Sequence, residues 1–247
     1  MLVSIIMPYF KNKKYVKYSV LSVLNQTFQN FELIIIYDNH TTDELRFINK
    51  IKKLDKRIKI IRNKSNIGAG LSRNAGIKFS IGTYLAFLDA DDLWKKNKLE
   101  EQLNFMKKKN IKISHTSYEI IDENCNIKGV RKAELMNFSK LVKSCDIGLS
   151  TVILTRKLFD KYKFSKNKTK EDYSLWLNIS KKQTIYGLNH NLTKWRKTKK
   201  SLSSNLLQKF KDAYLIYHKQ EKFNFLYSIY RTIILSIFYL KKTKLKN

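Results

Sequence analysis

Cysteine is nearly absent: the 247 residues hold two, Cys125 and Cys145, in no metal-ligand spacing. That excludes a disulfide framework and a cysteine-built metal centre. Proline occurs once, at Pro8, which leaves little punctuation and no clean linker between domains. Glycine occurs seven times and is missing from Pro8-Tyr-Phe-Lys-Asn-Lys-Lys14. A nucleotidyltransferase would want a Gly- and Lys/Arg-rich phosphate loop there, so that class is kept only as an alternative. The first residues, Met-Leu-Val-Ser-Ile-Ile-Met-Pro, lack the basic n-region of a signal peptide. Residues 3–7 read as a strand rather than as part of a signal peptide, and a cytoplasmic setting is the expectation.

Acids are the other shortage. Twenty Asp and Glu face fifty Lys and Arg, a formal charge of +30. Such a balance suits an anionic partner: nucleic acid, a membrane surface or an anionic substrate. It equally suits a coding sequence biased toward A/T, because Lys, Asn and Ile are abundant along the whole chain. No nucleic-acid recognition motif is present, and the aromatics that would stack on bases fall mostly at core-like positions. A basic nucleic-acid-binding protein is therefore an alternative, and no nucleic-acid partner is expected.

What is present is an alternation of short apolar runs with helix-period stretches. Residues 3–7 form an apolar run ended by Pro8, and residues 15–26 place Val16, Val20, Val23 and Leu24 at helix spacing. Residues 31–37 are a continuous strand-like run ending at Asp38. Thr42 caps a helix running to about residue 54, and 58–61 is a third strand. A Gly-rich turn opens a helix over 68–79, residues 84–88 form a fourth strand, and 93–109 read as a charged amphipathic helix. This order implies an α/β fold with a mostly parallel central sheet and right-handed crossovers. Ligand residues then belong at the strand ends, where Pro8, Asp38 and Asp89 stand. Further on, 111–121 and 150–154 read as strands, with a helix from about Arg156. Residues 170–180 continue at helix period behind the acidic pair Glu171-Asp172, and 206–217 are amphipathic.

The run Asp89-Ala-Asp-Asp92 organises this pattern. Two carboxylates one residue apart offer oxygen ligands to Mg²⁺ or Mn²⁺ and, through the metal, to a diphosphate. The same residues also suit a solvated turn or a helix N-cap. At the other end of the chain, residues 223–240 set Asn224, Ser228, Arg231, Thr232 and Ser236 on one narrow stripe of a broadly apolar helix. Lys241, Lys242, Lys244 and Lys246 follow. This reads either as a monotopic element on an anionic membrane or as a helix packing its wide face on its own domain. A true span would place Arg231 near mid-bilayer at a cost of roughly 2.5–3.5 kcal/mol.

Taken in order, these segments resemble a family 2 glycosyltransferase of the GT-A (Rossmann-like) fold. The carriers are Val-Ser-Ile-Ile-Met-Pro-Tyr-Phe (3–10), Ser-Val-Leu-Asn-Gln-Thr-Phe-Gln-Asn-Phe-Glu-Leu-Ile-Ile-Ile (22–36) and Tyr-Asp-Asn-His-Thr-Thr-Asp (37–43). Asn66-Ile-Gly-Ala-Gly-Leu-Ser-Arg-Asn-Ala-Gly76, Asp-Ala-Asp-Asp-Leu-Trp (89–94) and Glu171-Asp172 complete the set, which covers roughly residues 2–205. The resemblance implies a catalytic domain over 1–205 and a C-terminal helical extension over 206–247. It implies a nucleotide-sugar site of Pro8, Tyr9, Phe10, Asp38, Arg73, Asp89 and Ala90. Asp38 would read uracil N3–H, Arg73 the base or diphosphate, and Asp89 the ribose hydroxyls. Asp91 would hold Mn²⁺ or Mg²⁺, and Asp172 would be the catalytic base. Glu171 and Trp176 would lie on the acceptor side, with Trp176 equally suited to core packing, and Asp92 and Trp94 would cap and pack the following helix. Three departures stand out. Lys11 replaces a usual Asn, Asn39-His40 replaces Asp-Gly, and Thr198 replaces the His of the late Tyr-Arg-x-His pattern within residues 194–203. The reading is an inverting, metal-dependent transferase that moves a sugar from a nucleotide donor, UDP-linked by expectation, to a glycan acceptor. A lipid-linked acceptor at the inner face of a bacterial membrane is the expected partner.

Overall fold

The computed structural model describes residues 1–39, 41–198 and 206–244, the side chains of 239–244 excepted. His40, residues 199–203 of the late basic segment, and Lys246 lie outside the described residues, as do the side chains of Lys241, Lys242 and Lys244.

The first half alternates as its apolar runs dictate: β1 (Val3–Tyr9), α1 (Lys13–Leu24), β2 (Phe31–Tyr37), α2 (Thr42–Lys52), β3 (Ile58–Arg62), α3 (Ala69–Phe79) and β4 (Tyr84–Phe87). The runs are apolar on both faces because both faces are covered. Successive side chains point to opposite sides of a strand. Ile6, Ile34, Ile36, Leu85 and Phe87 therefore enter one apolar layer. Ile5, Met7, Leu33, Ile35 and Ala86 enter the other. Every residue of β2 is buried.

The second half is β5 (Leu93–Trp94), α4 (Lys98–Lys108), β6 (Ile113–Ile121), β7 (Ile127–Arg131), α5 (Phe138–Leu141), β8 (Ile153–Thr155), α6 (Arg156–Phe159), α7 (Glu171–Ser180) and β9 (Tyr186–Arg196). All strands join one sheet in the order β3-β2-β1-β4-β8-β6-β9-β5, with β7 paired to β6. The first four strands are parallel, as expected. Beyond β4 the sheet becomes mixed: β8 runs antiparallel to both β4 and β6, while β9 is parallel to β6. The helix expected over 93–109 starts only at Lys98. Leu93 and Trp94 instead pair with Lys194 and Thr193 of β9, and the Trp94 indole N–H donates to the Ser150 carbonyl at 2.7 Å.

The chain ends in α8 (Leu206–Leu215), a π-turn (Ile216–Gln220) and α9 (Phe225–Lys244). Ala213, Ile216, Tyr217 and Leu235 pack into the same apolar cluster as Tyr173, Leu175, Trp176 and Leu177 of α7. The orientation of α9 is the reverse of the domain-packing alternative. Ser228 and Thr232 of its narrow stripe face inward at 0% exposure with Leu235 beside them, while Asn224, Leu226, Tyr230, Ile233 and Phe238 are exposed. The inward hydroxyls can be buried because each bonds its own helix: Ser228 to Asn224 O, Thr232 to Ser228 O and Ser236 to Thr232 O, all at 2.8 Å. Among the described residues, no helix is long and apolar enough to cross a membrane.

Candidate active site

The C-terminal ends of β1, β2 and β4 lie side by side at one edge of the parallel half, the edge where folds of this kind bind ligands. Asp38 follows β2, and its backbone N–H donates to the Tyr9 carbonyl at the end of β1 (2.9 Å). Its carboxylate is itself an organiser. Oδ1 accepts from the Asn63 amide and the Ile67 N–H, and Oδ2 from the Gly68 N–H, each at 2.9 Å. Gly68 sits at φ +82°, a left-handed conformation that glycine adopts without a Cβ penalty. These bonds tie the turn that starts α3 to the end of β2. A carboxylate offers about four lone-pair positions, and three of them are used here.

Beyond β4 the chain turns through Asp89-Ala-Asp-Asp92, and the three acids take different surroundings. Asp92 is a strut: Oδ2 accepts from the Ser150 hydroxyl (2.6 Å) and Oδ1 from the Arg196 N–H (2.8 Å). The helix cap expected of it is not made. Burial first, then the charges of Asp91 and Asp89, hold its carboxyl well above the usual range. Asp91 is partly exposed, and burial followed by repulsion from Asp89 raises its carboxyl to about 6. Its backbone carbonyl accepts from Arg196 Nε at 2.9 Å. Asp89 has a side chain 35% exposed. Ala90 is buried between them.

Arg73, on α3, connects this turn to the start of α7. One arm donates to Asp89 Oδ1 and the other to Glu171 Oε1, both at 2.7 Å. Its side chain is only 4% exposed, so it fastens two acids together where the sequence suggested a direct reach to base or diphosphate. The approach is close because Gly70 leaves room: a Cβ there would lie 2.6 Å from the Ser165 carbonyl and 3.0 Å from Glu171 Cγ. Asp172 follows at the first turn of α7, where its Oδ1 accepts from the Tyr173 N–H (2.7 Å). Burial, then the neighbouring charge of Glu171, raises its carboxyl to about 6.

Two further expectations are corrected. Trp176 is fully buried in the core, so its indole offers no face to an acceptor sugar. Tyr9 is also fully buried; its ring stacks on Tyr37 and its hydroxyl donates to Glu44, which leaves only its backbone at the edge formed by the strand ends. Phe10, by contrast, is 47% exposed at the strand end, and Pro8 is partly exposed. Asn63, Ser150 and Arg196 were not singled out by sequence. Arg196 lay within the quoted late basic segment without a role, and nothing local marks the other two. Among the described residues, no group of three or more His, Cys, Asp or Glu forms a ready-made metal cage.

A parallel α/β half with carboxylates at its strand ends is thus joined through Arg73 to a helix that opens on two more acids. The glycosyl transferase family 2 profile matches residues 4–167. The chain is 39% identical over 212 residues to the UDP-Glc:alpha-D-GlcNAc-diphosphoundecaprenol beta-1,3-glucosyltransferase WfgD of Escherichia coli, covering 85% of this chain and 83% of that one. It is 40% identical over 214 residues to WfaP of the same species, which carries the same activity name, covering 85% and 82%. Among solved structures, Staphylococcus aureus TarS 1-349 in complex with UDP-GlcNAc superposes with a TM-score of 0.72 at 19% identity, over 89% of this chain and 65% of that one. The chain belongs to glycosyltransferase family 2 and has the GT-A fold. It is a glycosyltransferase.

Proposed function

We propose that this chain transfers a sugar, with inversion, from a UDP-linked donor to a lipid-linked glycan acceptor in bacterial surface-polysaccharide assembly. The observation that carries the site assignment is the Arg73 bridge, which brings the carboxylate turn after β4 and the acidic start of α7 together. The names of WfgD and WfaP support the donor and the lipid-linked acceptor. Pro8, Phe10 and the Tyr9 backbone line the nucleotide end, and the free lone pair of Asp38 receives uracil N3–H, a donor that cytosine lacks. Asp89, steadied by Arg73, holds the ribose hydroxyls.

Asp172 is the base. The acceptor hydroxyl oxygen attacks the anomeric carbon and gives its proton to the Asp172 carboxylate. The bond from that carbon to the diphosphate oxygen breaks, and its electron pair leaves with UDP. Attack opposite the leaving group inverts the centre. A carboxyl raised to about 6 is matched to this task near neutral pH. Glu171 orients the acceptor side.

The residues fit a divalent cation. Asp89 and Asp91 are hard oxygen donors one residue apart, and the carboxyl of Asp91 is raised first by burial and then by repulsion from Asp89, both of which a bound cation offsets. Mg²⁺ and Mn²⁺ sites of this kind take one or two carboxylates plus substrate phosphates, which suits a site with Thr198 in place of a histidine. Asp91 is the proposed ligand. When bound, Mn²⁺ or Mg²⁺ supplies Lewis-acid compensation of the charge developing on the departing diphosphate.

The exposed apolar face of α9, followed by a lysine cluster, supports peripheral attachment to an anionic membrane on the cytoplasmic side. A screen of nucleotide sugars for acceptor-dependent UDP release tests the reading. UDP-sugars should be turned over, and Asp172→Asn should cut transfer at least roughly 100-fold while UDP still binds. Full transfer by that variant would remove Asp172 from its role.

A further inference from the structure

The helical extension reaches back to the very turn that presents Asp172. That turn is unusual in how it is held. α7 is entered through Lys170 at φ 60°, ψ 20°, a left-handed conformation disfavoured for a residue with a side chain. No side chain of its own caps the helix. The turn is fixed from outside, by Asp212 of α8. Asp212 Oδ2 accepts from both the Thr169 N–H (2.9 Å) and the Thr169 hydroxyl (2.8 Å), and Oδ1 accepts from the Gln208 amide (3.0 Å). Asp212 is 4% exposed and Thr169 8%. A buried carboxylate that directs one oxygen at both donors of a single residue is a rigid fastening, and charge-assisted bonds of this kind are the strong ones.

The grip continues on the far side of Asp172. The Gln220 amide donates to the Ser174 carbonyl (3.2 Å) and its oxygen accepts from the Ser174 hydroxyl. The Tyr217 and Tyr173 hydroxyls lie 2.7 Å apart. Residues 212–220 thus hold Thr169, Tyr173 and Ser174, and Asp172 lies between the two holds.

We propose that Asp212 is a positioning residue for the proton-accepting carboxylate: by fixing the left-handed turn at Thr169-Lys170, it sets the aim of Asp172 at the acceptor hydroxyl. The inference rests on Asp172 being the base. The extension then divides at about residue 223 into a part that completes the active site and α9, which carries the exposed apolar face. A displacement of about 1 Å between reacting groups costs on the order of 100-fold in rate, so a loosened turn is felt in turnover before it is felt in donor binding.

The test uses the full chain with Asp212→Ala, Asp212→Asn and Thr169→Val. Four quantities are compared: kcat for transfer, UDP affinity, the ratio of transfer to donor hydrolysis, and Tm. Asp212→Ala should lower kcat about 10- to 100-fold, leave UDP affinity within about twofold, and shift turnover toward hydrolysis. Asp212→Asn should recover part of the loss, because its amide oxygen still accepts from Thr169. Thr169→Val, which keeps the backbone donor, should give a smaller fall in kcat with the same affinity, and it serves if Asp212→Ala does not fold. A lowered Tm with kcat per folded molecule and the transfer ratio unchanged would overturn the proposal, as would parallel loss of UDP binding. Asp172→Asn is the control. If it transfers normally, the base assignment itself is wrong. If it is inactive while Asp212→Ala is unimpaired, only the coupling is wrong.

Discussion

Asp172→Asn should make the protein more stable at neutral pH while disabling it. The carboxyl of Asp172 stands at about 6 against an ordinary value of 3.8, chiefly because burial penalises its charge. A raised carboxyl means that the folded state holds the proton more tightly than the unfolded chain does. Below about pH 4 the group is neutral in both states and costs nothing. As pH rises from about 4 to about 6 the unfolded chain ionises first, and stability falls. The full difference corresponds to about 3 kcal/mol, at about 1.4 kcal/mol per tenfold change in acidity constant. Partial exposure of the side chain reduces this to roughly 1–2 kcal/mol. The amide of asparagine never ionises, and its oxygen can still accept from the Tyr173 N–H. The variant should therefore match the wild type near pH 4 and exceed it at pH 7.5 by about 2–8 °C in Tm, given about 2–4 °C per kcal/mol for a chain of this size. Thermal scans at the two pH values check this. Asp91 and Asp92 also carry raised carboxyls, but they are present in both proteins and cancel in the comparison. Equal Tm values at pH 7.5, or a less stable variant there, would refute the account of Asp172 as a carboxylate destabilised by burial.

Two other expectations follow from the site and the surface. Asp91→Asn should keep the fold and lose most UDP release, and EDTA should do the same to the wild type; full activity in either case removes the metal assignment. On α9, Leu226→Glu with Ile233→Glu should abolish binding to anionic liposomes and leave Tm within about 2 °C, because both side chains point to solvent. Retained binding would assign attachment to another surface. These substitutions are a cleaner test than deleting the helix, since deletion would also strip Leu235 from the core.

The order of strands and helices through residue 88, and the carboxylates at their ends, could be read from the chain alone. The cause is local: in a sheet covered on both faces, each strand is a short apolar run that must stop at the edge where ligands bind, so Asp38 and Asp89 mark their own positions. The extent of β2 was readable to the residue. The same logic fails after residue 110. β9 reads Tyr-Gly-Leu-Asn-His-Asn-Leu-Thr-Lys-Trp-Arg, with no clear period, because it lies between β6 and β5 with a register that shifts twice along β6. That pairing is decided by partners far away in sequence. Trp176 and Tyr9 carry aromatic rings that suit either a ligand or a core, and only the tertiary packing around α7 and between β1 and β2 chose the core. Arg73 looked like a reaching cation at a helix start; two acids from distant segments made it a buried bridge. The stripe on α9 was visible in the sequence, but which face turned inward was not. Amphipathicity states that a helix has two faces, and the neighbouring surface decides which one is covered. Here serine and threonine hydroxyls satisfied by their own helix could enter the interior beside Leu235, leaving much of the apolar face outside.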